Sequence, residues 1–125
     1  MKKILSVLIL SSLFLYGCGV STGILVNLDD RSEALLGEAY ASLAEGTFYV
    51  SDTEGFFCNG NYDQYSQRAM LEVKIECSDG RTGSARVLRY GGNLLNGSGT
   101  GKLNDGTEFR VLLGENVHRG SIKNF

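Results

Sequence analysis

Leu71, Val73, Ile75 and Cys77 alternate with Glu72, Lys74 and Glu76 in a strict two-residue period. Successive side chains of an extended chain point to opposite faces, so this run predicts a strand with one dry and one wet face. Ser78-Asp79-Gly80-Arg81 follows as a tight turn, and Ala85, Val87 and Leu88 fall on the returning strand. The pattern recurs near the end of the chain. Phe109, Val111 and Leu113 alternate with Arg110 and Leu112 behind Asp105-Gly106, the signal of a second hairpin. Phe56-Phe57-Cys58 reads as a short strand after the Asp52–Gly55 turn, and Ile24-Leu25-Val26 fits another.

Residues 31–45 support two readings. They are rich in Ala, Leu and Glu, and Asp30 with Glu33 has the form of a capping box, so propensity predicts a helix ending at Gly46. A comparison within the chain predicts a hairpin instead. Gly37, Ala39, Ala41 and Leu43 correspond to Gly97, Gly99, Gly101 and Leu103. Glu45-Gly46-Thr47 then corresponds to Asp105-Gly106-Thr107, and Phe-x-Val follows in both. The hairpin is the favoured reading, and the helix stays open. On this basis the chain is all-β: about seven antiparallel strands in a small sandwich or barrel, with 31–45 the stretch a helix would also fit.

Ahead of this domain the pattern changes. Met1-Lys2-Lys3 precedes an apolar run from Ile4 to Tyr16, broken only by Ser6, Ser11 and Ser12. A basic start and about a dozen apolar residues make a secretory signal, whereas a membrane-spanning helix needs roughly 20. Leu15-Tyr16-Gly17-Cys18 resembles the bacterial lipobox, with Tyr16 larger than is usual at its place. That resemblance implies cleavage before Cys18, a diacylglycerol on its thiol and a palmitate on the new amine. It also implies, from Gly19 rather than Asp, passage to the outer membrane. The expected organisation is a signal peptide at 1–17, a lipidated tether at 18–30, a β-domain at 31–114 and a tail at 115–125.

Composition narrows the function. Removing Lys2 and Lys3 takes two of 12 basic residues and none of 14 acidic ones, so the net charge moves from −2 to about −4. The remaining basic residues are scattered, which argues against a nucleic-acid partner. With Cys18 assigned to lipid, Cys58 and Cys77 form an even pair in an oxidising compartment, which predicts a disulfide. They are not in a C-x-x-C arrangement, so a redox role has little support. Zinc usually takes four ligands and His118 is the sole histidine, so neither metal nor cofactor is expected.

The turn Cys77-Ser-Asp-Gly-Arg-Thr-Gly83 and the closing Gly-x-Gly-x-x-x-Asp-Gly hairpin resemble small proteobacterial lipoproteins without assigned activity. The resemblance spans about residues 37–114 and implies β-structure only.

Candidate chemistry is sparse. Gly97-Ser-Gly-Thr-Gly-Lys102 lacks the spacing of a phosphate loop, and His118 follows the last predicted strand with no nucleophile to serve. Asp29, Asp30, Asp52 and Glu54 fall at turns or in the tether. Phe56, Phe57, Tyr62 and Tyr65 cluster near Gln64, and of these Phe57, Tyr62 and Tyr65 are the candidate binding residues, against a plain role in the core and its rim. The expectation is a lipid-anchored, non-catalytic binding or accessory protein of the bacterial envelope, meeting another envelope protein or a glycan. The alternative is an envelope hydrolase, or an inhibitor of one, acting on peptidoglycan or glycan.

Overall fold

The structure is a computed structural model and describes residues 19–92 and 94–117. The signal segment, Cys18 and His118 therefore lie outside the described residues. Eight strands follow one another: β1 (Val20–Leu28), β2 (Leu35–Ala41), β3 (Gly46–Ser51), β4 (Phe57–Tyr62), β5 (Met70–Cys77), β6 (Thr82–Tyr90), β7 (Asn96–Leu103) and β8 (Glu108–Leu113). Each pairs antiparallel with the next, and β8 pairs with β1, so the sheet closes as an up-and-down barrel. Closure leaves no edge strand to be blunted.

Of the all-β sandwich or barrel expected from the pattern, the barrel is what forms, with eight strands among the described residues where about seven were counted, and residues 35–41 take the favoured strand reading. In β2, Leu35, Gly37, Ala39 and Ala41 point inward while Leu36, Glu38 and Tyr40 point outward, and the strand is hydrogen-bonded on both sides. Two ladders and an inward face outweigh the helical preference of Ala, Leu and Glu, which is worth only tenths of a kcal/mol per residue. Strand β1 begins at Val20 and takes up most of the stretch expected as a tether.

The two similar hairpins share chemistry but not position. In β3 Phe48 lies opposite Gly60, and in β8 Phe109 lies opposite Gly101. A β-carbon at either glycine would stand about 2.6–2.7 Å from the facing ring, so each phenylalanine fills the space its glycine leaves. The β2–β3 turn lies at one end of the barrel and the β7–β8 turn at the other, because the hairpins are an odd number of strands apart. Leu103 is the last residue of β7 and is buried, while its counterpart Leu43 lies beyond the end of β2 in an exposed turn.

Inside, the core runs from Leu28, Leu35, Val50 and Phe109 at one end through Ile24, Phe48, Val73 and Val111. Outside, Glu38, Asn59, Glu72, Lys74, Arg86 and Arg110 are exposed. This is the reverse of a membrane-spanning barrel, whose lipid-facing band is apolar and whose interior is polar.

The end that carries the β1–β2, β3–β4, β5–β6 and β7–β8 turns is closed by ion pairs. Arg31 pairs with Asp52 at 2.9 Å and lies over the Phe56 ring, 3.8 Å from its centre. Arg81 reaches Asp30 and Asp79 at 2.8 Å and Asp105 at 3.2 Å, joining three turns. Enclosure works against the Asp52 charge, but Arg31 and the N–H groups of Glu54 and Phe56 overcome it and hold the carboxyl below its ordinary value. Asp105 is lowered by the backbone N–H of Thr107, its hydroxyl and Arg81. Both groups are more acidic folded than unfolded. Their contribution is complete above the ordinary value of 3.8 and is lost as pH falls through the folded values. The melting temperature should therefore hold steady between about pH 5 and 8 and drop below about pH 4. Asp52→Asn should start lower and lose less on acidification; an acid limb unchanged by that substitution would remove Asp52 as a cause.

Candidate functional site

The opposite end is open. It carries the β2–β3, β4–β5 and β6–β7 loops, the first residue of β1 and the last of β8. From it a cavity of about 360 Å³ extends into the barrel. Its walls come from the inward phase of the strands: Ile24 of β1, Ala39 and Ala41 of β2, Phe48 of β3, Leu71 and Val73 of β5, Val87 of β6, and Val111 and Leu113 of β8. An eight-stranded barrel is just wide enough to be filled by side chains or to hold one small ligand. Here small Ala39 and Ala41, inward residues of β2 that line the cavity, leave room on one wall.

Among the described residues the polar lining is confined to Thr22, Tyr62, Gln64 and Arg89, and no carboxylate lines the cavity. Arg89 continues the inward phase of Ala85 and Val87, which places a guanidinium within the mouth. One terminal nitrogen donates to the carbonyl oxygens of Ser66, at 3.0 Å, and Arg68. Its Nε is buried and has no hydrogen-bond partner. Burial raises the Tyr62 phenol above its ordinary 10.0, with the positive charge of Arg89 pulling the other way, so the hydroxyl is neutral at physiological pH.

The rim loops are tied to one another. Gln64 Nε2 donates to the Ser42 carbonyl oxygen at 3.2 Å, the Tyr65 hydroxyl donates to that of Leu43, and Thr22 Oγ1 donates to that of Leu95 at 3.3 Å. Leu94, which with Leu95 closes one side of the cavity, has a φ of 57°. A branched side chain rarely adopts that left-handed conformation, and such strain tends to sit at ligand clamps. Most of the exposed large apolar side chains gather around the mouth, Val20, Tyr40, Leu43, Tyr65, Met70, Leu88 and Tyr90, with Leu43 74% and Tyr65 64% exposed, while Leu36 and Tyr49 lie away from it.

The expected site residues are partly brought together. Cys58 and Cys77 face each other across β4 and β5 and are bonded, in the core at the closed end. Tyr62 lines the cavity and Tyr65 stands on its rim. Phe57 points outward from β4 and stacks on Tyr49, with ring centres 5.5 Å apart, and Phe56 lies under Arg31; neither belongs to the site. The sequence cluster of four aromatics is therefore split between the two ends of β4. Arg89 was missed by sequence reasoning. Its signal is an arginine that continues the apolar phase of Ala85 and Val87 along one strand.

Chemically, this arrangement can enclose an apolar group and present one cation to its polar end. Among the described residues no three His, Cys, Asp or Glu side chains come together to hold a metal ion. No protein-family model matches the sequence, and no curated protein or solved structure matches it at a significant level.

Proposed function

We propose that the chain is a lipid-anchored, non-catalytic binding or accessory protein of the bacterial cell envelope, held at the outer membrane through Cys18, and that the barrel cavity is its binding site. One observation carries this reading: the apolar cavity opens at the same end at which the chain from Cys18 joins the barrel. Gly19 lies against the Tyr40 ring on that rim, and Cys18 is bonded to Gly19. A lipid on Cys18 brings the mouth to the bilayer, and its ring of tyrosines and aliphatic side chains has the composition that settles at a membrane interface. The apolar lining favours an apolar ligand over a glycan.

Metabolic labelling with an alkynyl palmitate followed by membrane fractionation tests the anchor. The wild-type protein should carry label and sediment with membranes, and Cys18→Ala should do neither. An unlabelled wild-type protein recovered in the soluble periplasm would overturn the anchored reading.

A further inference from the structure

We propose that the cavity takes the single alkyl chain of an anionic amphiphile, a fatty acid or a singly acylated lipid phosphate, tail inward and head group on Arg89. This rests on reading the cavity as the binding site and names its ligand.

The tail follows from size and lining. A cavity of about 360 Å³ inside an eight-stranded barrel has room for one small ligand, and its apolar wall suits an alkyl chain. The deeper wall, from Ile24 to Phe48, Val73 and Val111, offers no polar side chain to a sugar or peptide.

The head group follows from Arg89. At the closed end the arginines are neutralised, Arg31 by Asp52 and Arg81 by three aspartates, while Arg68 of the β4–β5 loop is exposed to solvent. Arg89 has no carboxylate partner among the described residues, although its Nε is buried. Carbonyl oxygens on one terminal nitrogen satisfy donors but do not neutralise charge. An enclosed cation without a counter-ion is unfavourable, and a guanidinium matches carboxylate or phosphate oxygens in geometry. The ligand is thus expected to supply the anion that the protein withholds. Exposed Leu43 and Tyr65 beside the mouth give a tail an apolar path from a membrane surface.

Every described strand lies within residues 20–113 and the barrel closes on itself, so residues 19–125 exported behind a cleavable signal form the same site without a lipid at Cys18. Binding is read with a dansyl-labelled fatty acid, displaced by laurate, dodecyl phosphate, dodecanol or dodecyltrimethylammonium. The probe should saturate at one per chain. Laurate or dodecyl phosphate should displace it at least about tenfold more tightly than dodecanol, with the cationic amphiphile weakest. Either order of the two anions supports the proposal, and the stronger identifies the head group. Arg89→Gln should bring both anions to the level of dodecanol and leave dodecanol unchanged, and Ala41→Trp, which fills the mouth, should abolish all binding. Equal affinity for laurate and dodecanol, unchanged in Arg89→Gln, would overturn the head-group assignment while the cavity remained a binding site. No binding of any amphiphile would overturn both. If Arg89→Gln does not fold, the ratio of laurate to dodecanol affinity in the unsubstituted protein decides alone.

Discussion

Gly37→Ala should cost more than about 3 kcal/mol and leave little folded protein, although it adds a single methyl group. A β-carbon at Gly37 would stand 1.7 Å from the carbonyl oxygen of Tyr49 and 2.9 Å from the α-carbon of Val50. Gly37 pairs with Val50 across the β2–β3 ladder and with Ile24 across the β1–β2 ladder. Since the colliding atoms are backbone, no side-chain rotation relieves them, and β2 must separate from β3. Ordinary overpacking costs about 1–3 kcal/mol because side chains can give way; here they cannot. Gly92→Ala is the control, with no atom within 4 Å and no left-handed φ, and should lie within about 0.5 kcal/mol of wild type. Urea unfolding of the two variants decides the matter. Equal midpoints would mean that β2 and β3 do not approach as closely as described.

Loss of the disulfide should be the second large effect. Cys58 and Cys77 are 19 residues apart and directly opposed in the β4–β5 ladder. A cross-link closing a loop of that length removes unfolded-state entropy worth roughly 3 kcal/mol. The double variant Cys58→Ala/Cys77→Ala also removes two sulfur atoms from the core, where the residues are 0% and 4% exposed. The expected loss is about 2–5 kcal/mol, read as a lower urea midpoint; reduced wild type, which keeps its sulfur atoms, should fall between the two. Neither cysteine lines the cavity, so ligand affinity per folded molecule should not change. A double variant as stable as the oxidised protein would assign the bridge no structural role.

How much of this could be read from the residues depends on how strongly each segment's pattern constrains it. Strand β5 is legible because one face is apolar and the other charged, an alternation that no helix accommodates. Strand β2 is obscured because Ala, Leu and Glu suit either conformation, and only its pairing with β1 and β3 decides between them. The likeness between the 37–50 and 97–111 segments correctly points to two hairpins. It does not reveal that their turns lie at opposite ends, because a hairpin's sequence encodes its turn but not its place around a closed sheet.

The candidate site divides in the same way. Tyr62 and Tyr65 were legible as an aromatic pair beside Gln64, and the structure keeps them at the mouth with Gln64. Phe57, adjacent to Cys58, points away because neighbouring residues of a strand face opposite sides. Arg89 is remote in sequence from the tyrosines and joins them only when β6 and the β4–β5 loop meet at the rim.

By itself, the sequence determined the all-β class, the positions of most strands and turns, and the cysteine pair. These are local properties, set by alternation, turn chemistry and spacing along the chain. Tertiary structure alone decided that the eight described strands close into a barrel, that its open end holds a cavity lined by small Ala39 and Ala41 rather than a filled core, and that Arg89 stands in its mouth with no carboxylate partner among the described residues. Those facts depend on which side chains from distant strands share one interior, and packing in three dimensions is the only place where that volume and charge are compared.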